Sequence, residues 1–267
     1  MAKQTDYANL LSALDDHQRA DTVSISCPSV KSKSTFKKIN VPQQKGILKA
    51  AMDPSLPELL FIIQANEILQ NNQVTDTTLH VVDRVSALLQ LRCATLGNKL
   101  ASDATSAGEQ IDITDHLKKV QKIKIPSQLQ SGTFSHDEFK ADCYIPTLEE
   151  DTAINKACLR IIQDKVKTED GLKDSVGDIY VYEVVKYIKN ISYTSEEQEQ
   201  IIPFDTLSVK QKISIFEKLP MGLTVDISKY ITSLRKFEDQ ILNIPGPSGD
   251  EDDTIIIDFN ASLFSLE

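Results

Sequence analysis

Apolar residues recur every third or fourth position over much of the chain, and that period predicts a mainly helical protein. Leu10, Leu11 and Leu14 mark a short helix over 6–15, with Asp6 as its cap. Pro42 suits the first turn of a second helix that continues to Met52. Asp53-Pro54 breaks it. Ser55, with Glu58 three residues on, caps a helix to about Asn71 whose Leu59, Phe61, Ile62, Ile63 and Leu69 make it apolar on more than one side. Thr75 or Asp76 starts the next helix, which carries Leu79, Val82, Val85, Leu88, Leu89 and Leu91 to Leu96 and stops at Gly97-Asn98. Further on, the same spacing predicts helices over 149–166, 179–192, 207–219 (capped by Asp205 or Thr206) and 224–242 (capped by Thr224), with a sharp turn at Pro220 and Gly222.

Period-two segments are fewer. Val23–Cys27 alternates and stops at Pro28, and Phe36–Val41 follows a small polar loop, so the two predict an N-terminal hairpin. Phe139–Leu148 reads as a strand, and Pro146 within it points to a sheet edge. Residues 111–126 are ambiguous, while 101–110 and 127–138 read as loops. The predicted class is α+β, mainly helical, with a small antiparallel sheet made of the N-terminal hairpin plus an edge strand. The predicted organisation is an N-terminal helical arm at 1–22, a body at 23–242, an acidic Pro/Gly linker at 243–253 and an apolar C-terminal docking tail at 254–267. An apolar tail after an acidic linker is expected to dock, either on the body or on a partner.

Composition narrows the function classes. Hydrophobic residues make up 40% of the 267 and charged residues 25%, which is ordinary globular usage. Aromatics are 6% and Trp is absent, so the core must come from Leu, Ile and Val. A net charge of −10 repels phosphate backbones. No apolar run reaches the ~18 residues of a membrane span. Met1–Tyr7 lacks a signal-peptide core, so the chain is expected to stay in the compartment where it is made. The four cysteines, Cys27, Cys93, Cys143 and Cys158, are far apart and read as reduced, buried thiols. Without a secretion signal, the sequons at Asn190 and Asn260 carry little meaning.

Phosphate loops, dinucleotide fingerprints and nucleophile elbows are missing. His17, His80, His116 and His136 stand alone, and His136-Asp137-Glu138 with Cys143 fits no structural zinc spacing. Glu196–Glu199 and Asp250–Asp253 read as solvated charge runs. No catalytic residue, cofactor or metal is predicted. Lys31–Lys38 holds four lysines and one Phe, too little aromatic interleaving for nucleic acid; a solvated loop or an acidic protein neighbour fits it better.

Two segments carry a family resemblance. Thr35-Phe36-Lys37-Lys38-Ile39-Asn40-Val41-Pro42-Gln43-Gln44-Lys45-Gly46-Ile47-Leu48-Lys49-Ala50 resembles the N-terminal signature of the T-even-like phage baseplate hub and hub-assembly family, a strand with an aromatic-basic start entering a Gln- and Lys-rich helix. Pro203-Phe204-Asp205-Thr206-Leu207-Ser208-Val209-Lys210-Gln211-Lys212-Ile213, continuing through Leu219-Pro220 to Tyr230-Ile231 and Arg235-Lys236-Phe237-Glu238, is similar to its C-terminal helical half. The stretch from about Asn98 to Asp178 has no counterpart and reads as a divergent insertion. The resemblance implies a non-enzymatic structural or assembly protein of a contractile tail. Such a protein binds other baseplate hub proteins in the host cytoplasm, with or without a place in the finished tail.

The interface candidates are Phe36, Lys37 and Lys38 on the second strand, Tyr230 and Phe237 on the last helix, and Ile255, Ile257, Phe259 and Phe264 on the tail. Ordinary core packing is the competing reading for the first two groups. Two other classes stay open: a small hydrolase or transferase whose site joins His116, His136 and Cys143, and a nucleic-acid-binding module that uses the lysine run.

Overall fold

The computed structural model describes residues 2–53, 56–101, 110–165, 180–195, 198–245 and 254–264. In chain order the elements are α1 (Ala2–Ala20), β1 (Thr22–Ile25), β2 (Ser34–Lys37), α2 (Val41–Ala51), α3 (Pro57–Asn72), α4 (Arg84–Leu96), β3 (Lys99–Ala101), β4 (Gln110–Asp112), α5 (Thr114–Val120), β5 (Ser131–His136), β6 (Phe139–Tyr144), α6 (Leu148–Lys165), α7 (180–185), β7 (Ile188–Ser195), β8 (Gln198–Pro203), α8 (Val209–Phe216), α9 (Met221–Leu242), β9 (Asn243–Pro245) and β10 (Thr254–Ile256). The protein is a mainly helical α+β fold with small antiparallel sheets.

The chain divides differently from the expected arm, body and tail. One compact unit takes residues 1–79, 83–124 and 241–267, and the other takes 80–82 and 125–240. The arm and the tail thus belong to the same unit.

In the first unit, β1 and β2 form the expected hairpin, with Val23 opposite Phe36. Phe36 is fully buried. Asn40 caps α2 through a capping box: its carboxamide oxygen accepts from Gln43 N–H at 3.0 Å, and the Gln43 side chain accepts from Asn40 N–H at 3.0 Å. Asp53 accepts from the Leu56 N–H just before α3; the Ser55 cap lies outside the described residues. At Gly46 a Cβ would come within 2.8 Å of Gln64 Oε1, the end of a flexible α3 side chain that rests over α2 there.

Helix α4 is buried on every side from Arg84 to Cys93, polar residues included. It starts about eight residues later than its spacing suggested. Val74 N–H instead donates to the Thr35 carbonyl at 2.8 Å, which holds the preceding segment against β2. The polar side chains of α4 bond to backbone groups of distant segments. Gln90 accepts from Ser26 N–H and donates to its carbonyl, at 3.2 and 2.8 Å. Arg92 Nε donates to the Leu263 carbonyl at 2.8 Å, and its Nη1 donates to the carbonyls of Gly97 and Lys99. Gly97, at φ 93°, ends the helix where a side chain would be strained.

The tail docks on this same unit. β10 pairs with β9, Ile257 N–H donates to the Leu242 carbonyl, and Gln44 Nε2 donates to the Phe264 carbonyl at 2.7 Å. Phe61 packs edge-on against Phe259, at 5.4 Å between ring centroids, and tilted against Phe264 at 6.5 Å.

The second unit holds a sheet in the order β5-β6-β7-β8, all antiparallel. Phe134, Ala141, Ile191 and Ile202 line up across it. Tyr230 of α9 packs over Phe134 at 6.0 Å and donates its hydroxyl to the Leu129 carbonyl. Three expectations change here. β6 is an interior strand rather than an edge, because Pro146 falls beyond its end. The polar stretch Ser131–His136, read as loop, pairs with it as β5. The helix expected over 179–192 gives way at 186–187 to β7.

Beneath the turn into β7 lies a buried ion pair. Lys186 Nζ sits 2.7 Å from Asp151 Oδ1 and 2.8 Å from Glu183 Oε2, and 5.5 Å from the Tyr187 ring centroid. Lys186 and Asp151 are essentially sealed from solvent.

Two stability predictions follow from these contacts. Phe264→Ala should destabilise the first unit by about 3–5 kcal/mol, since it empties a fully buried site. Lys186→Ala should cost the second unit about 3–5 kcal/mol by leaving Asp151 buried without its cation. Urea denaturation followed by circular dichroism checks both.

Candidate interaction surfaces

The sequence-nominated interface residues are occupied by intramolecular packing. Phe36, Tyr230, Phe237, Ile257 and Phe264 are all buried, as the competing reading of core packing expects for the first three. Lys37 is half-buried in the β1–β2 pair, opposite Thr22. Lys38 is half-buried with its Nζ 2.8 Å from Asp21, so it does not present a free cation to a nucleic acid. Ile255 and Phe259 are half-buried, Phe259 against Phe61.

Within the second unit, His136 and Cys143 do not come together. His136 stands opposite Phe139 at the turn end of the β5–β6 hairpin, and Cys143 stands opposite Gly132 toward its other end. His136 is about half exposed and packs against the start of α9, where a Cβ on Gly222 would meet its ring at 2.7 Å. His116 belongs to the first unit. It is buried, with Nε2 2.7 Å from the Ile241 carbonyl.

All four cysteines are free and buried. Burial pushes the thiols of Cys27, Cys143 and Cys158 up to about 12, with nearby carboxylates adding to the shift, and that of Cys93 up to about 11. Thiols held protonated this way are poor nucleophiles. Among the described residues no three His, Cys, Asp or Glu side chains are grouped so as to hold a metal ion, and no helix is long and apolar enough to cross a membrane.

Exposed apolar surface points elsewhere. On α1, Tyr7, Leu10, Leu11 and Leu14 are 64%, 57%, 43% and 48% exposed. Their i, i+3, i+4, i+7 spacing places them on one helical face. Every residue from Tyr7 to Leu14 is exposed, so nothing covers this stripe among the described residues. The spacing of Leu10, Leu11 and Leu14 was visible in the sequence. What was not visible is that the helix turns this face to solvent rather than to a core.

A second exposed area lies in the other unit. Tyr180, Met221 and Val225 are exposed around an open groove of about 680 Å³ between α7, the end of α8 and α9. Ser228 Oγ donates to the Thr224 carbonyl and lies 3.2 Å from the Tyr180 hydroxyl across the groove, and Thr232 Oγ1 donates to the Ser228 carbonyl. A third feature is β8, exposed along most of its length, with Ile201 pointing into solvent.

Comparison with known protein families, curated proteins and solved structures finds no match for this chain.

The raised thiols give stability a direction in pH. Below about pH 9, the ordinary thiol value, folded and unfolded chains both keep these protons, and the stability is fully present. Between pH 9 and 11 the unfolded chain releases them and the folded chain does not. Each thiol then subtracts up to about 1.4 kcal/mol per pH unit. Denaturant titrations across this window should show stability falling, and Cys143→Ala should flatten the fall by one thiol's share.

Proposed function

We propose that the protein is a non-enzymatic binding component of contractile-tail assembly. It joins other baseplate hub proteins in the host cytoplasm, and α1 is its docking arm. The stripe Tyr7, Leu10, Leu11 and Leu14 carries the binding half of this reading. Monomeric proteins rarely leave clustered large apolar side chains in water without a use for them. Anchors at this spacing suit a helix laid into an apolar groove of its partner. Each anchor is worth ~1.5–3 kcal/mol when fully covered. A groove that covers all of them offsets much of the association cost of about 4–15 kcal/mol, whereas a single flat contact does not.

The contractile-tail half rests on the resemblance of the segments at 35–50 and 203–238. In the fold these are β2 entering α2, and α8 followed by Pro220 and α9. The acidic charge of −10 agrees with protein rather than nucleic-acid partners.

Co-expression with the tail and hub proteins encoded beside it, followed by pull-down, tests the reading. The parent chain should capture at least one of them. Leu10→Glu combined with Leu14→Glu should weaken that capture by about a hundredfold or more while leaving circular dichroism and thermal unfolding unchanged, because both side chains are exposed. Failure to capture any tail protein sinks the contractile-tail reading. Capture unaffected by the double variant removes α1 from it.

A further inference from the structure

The lysine run at 31–38 does not survive as a unit in the fold. Lys37 is half-buried on β2 and Lys38 pairs with Asp21, so only Lys31 and Lys33 of that run are exposed. A second group of lysines joins them from elsewhere in the chain. Lys124 Nζ donates to the carbonyls of Cys27 and Val30, at 2.9 and 2.5 Å. These bonds fasten the segment after α5 to the loop between β1 and β2, directly before Lys31. Ile123 is half-buried and Ile125 buried while Lys122 and Lys124 are exposed, so the alternation turns both lysines outward. Lys119 lies one turn back, its carbonyl accepting from Lys122 N–H at 2.9 Å. Lys31, Lys33, Lys119, Lys122 and Lys124 are all exposed and all belong to the first unit.

Their charges are left uncompensated. Asp83 accepts from Ser29 in this loop but is fully buried, and Asp115 pairs with Lys118. None of the five lysines makes an ion pair among the described residues. The net charge of −10 does not cancel such a patch, because charges beyond about 8 Å are screened at physiological ionic strength. The make-up of the patch selects its ligand. Phe36, the aromatic of the lysine run, is fully buried, so no ring is offered for a base to stack on. Arg84 and Arg92 are buried too, so no guanidinium fork is offered to a phosphate. Asp112 and Asp115 stand exposed at the start of α5 and bound the positive stretch. A stiff duplex carries its phosphates past the ends of so short a patch onto the acidic remainder of the chain. A flexible acidic peptide can stop where the lysines stop.

We propose that this patch is a docking site for a short acidic segment of a protein partner, whose carboxylates bridge the β1–β2 loop and the end of α5. Lys31, Lys33, Lys119 and Lys122 pair with the segment's Asp and Glu side chains. Lys124 holds the loop in place and adds its charge. Each exposed ion pair contributes little by itself, so affinity comes from their sum and is sensitive to salt. The site reads charge, whereas the α1 stripe reads apolar surface.

Fluorescence anisotropy of a labelled oligoglutamate peptide, titrated with the full chain, tests the site. The parent should bind at low salt, with affinity falling as salt rises. Lys31→Glu combined with Lys122→Glu should weaken binding by roughly tenfold or more, for two attractions turned into repulsions. Both side chains are exposed, so circular dichroism and thermal unfolding should not change. Lys124 is spared because it bonds the loop. Lys218→Glu combined with Lys236→Glu makes the same charge change at exposed positions of the other unit and should leave binding nearly intact. A parent that ignores oligoglutamate at low salt overturns the proposal. So does an equal loss from the two double variants, which reduces the effect to net charge. Tighter binding of single-stranded or duplex DNA of matched charge, lost in the Lys31 and Lys122 variant, overturns it in favour of a nucleic acid. None of these measurements alters Leu10 or Leu14, so the acidic-segment site and the docking arm stand or fall separately.

Discussion

A helix buried on all sides must find partners for every polar group it carries, and α4 is such a helix. An unpaired buried donor or acceptor costs about 1–3 kcal/mol, more if charged. The side chains of Gln90 and Arg92 meet that requirement with groups near in sequence and with backbone groups far away in it. Gln90 holds both backbone groups of Ser26, and Arg92 holds the carbonyls of Gly97, Lys99 and Leu263. The hairpin, the strand after α4 and the C-terminal tail are thereby fixed by one element. The tail cannot leave without taking away the acceptor of the buried Arg92 Nε–H, so its contacts serve the fold.

The second unit is organised by a sheet with one covered face. The column Phe134, Ala141, Ile191 and Ile202 sets the register, because a slip of one residue would turn these side chains into water. Opposite faces of the sheet therefore differ. Ile201, on the uncovered face, stays exposed while Ile202 beside it is half-buried. The Lys186–Asp151 pair adds little net stability over an apolar pair of the same shape. It does tie α6 to the turn that leads into β7, and only one placement of that turn satisfies both charges.

Capped helices were legible in the sequence, since their signals are local. α2, α3, α6, α8 and α9 lie close to where spacing, prolines and caps placed them, although Asn40 and Ser208 do the capping for α2 and α8. β7 was not legible, for a specific reason. The register shifts where Cys143 pairs with Ile188 and Asp142 with Asn190, so Lys189 is an extra residue. The bulge puts Ile188 and Ile191 on one face at a spacing of three, and that spacing imitates a helix. β5 was missed because its only large apolar residue is Phe134. The interface candidates were drawn from the most apolar segments, and apolarity predicts burial before it predicts binding.

That leaves α1, where burial and hydrophobicity disagree. An isolated helix of this length is marginal in water even with good propensity. Most helices in proteins gain their stability by covering an apolar face, yet α1 turns its own outward from Tyr7 to Leu14. A helix in that position is completed by whatever covers the stripe. Its stability and its binding are then one equilibrium, since a partner that binds the folded arm stabilises it by mass action.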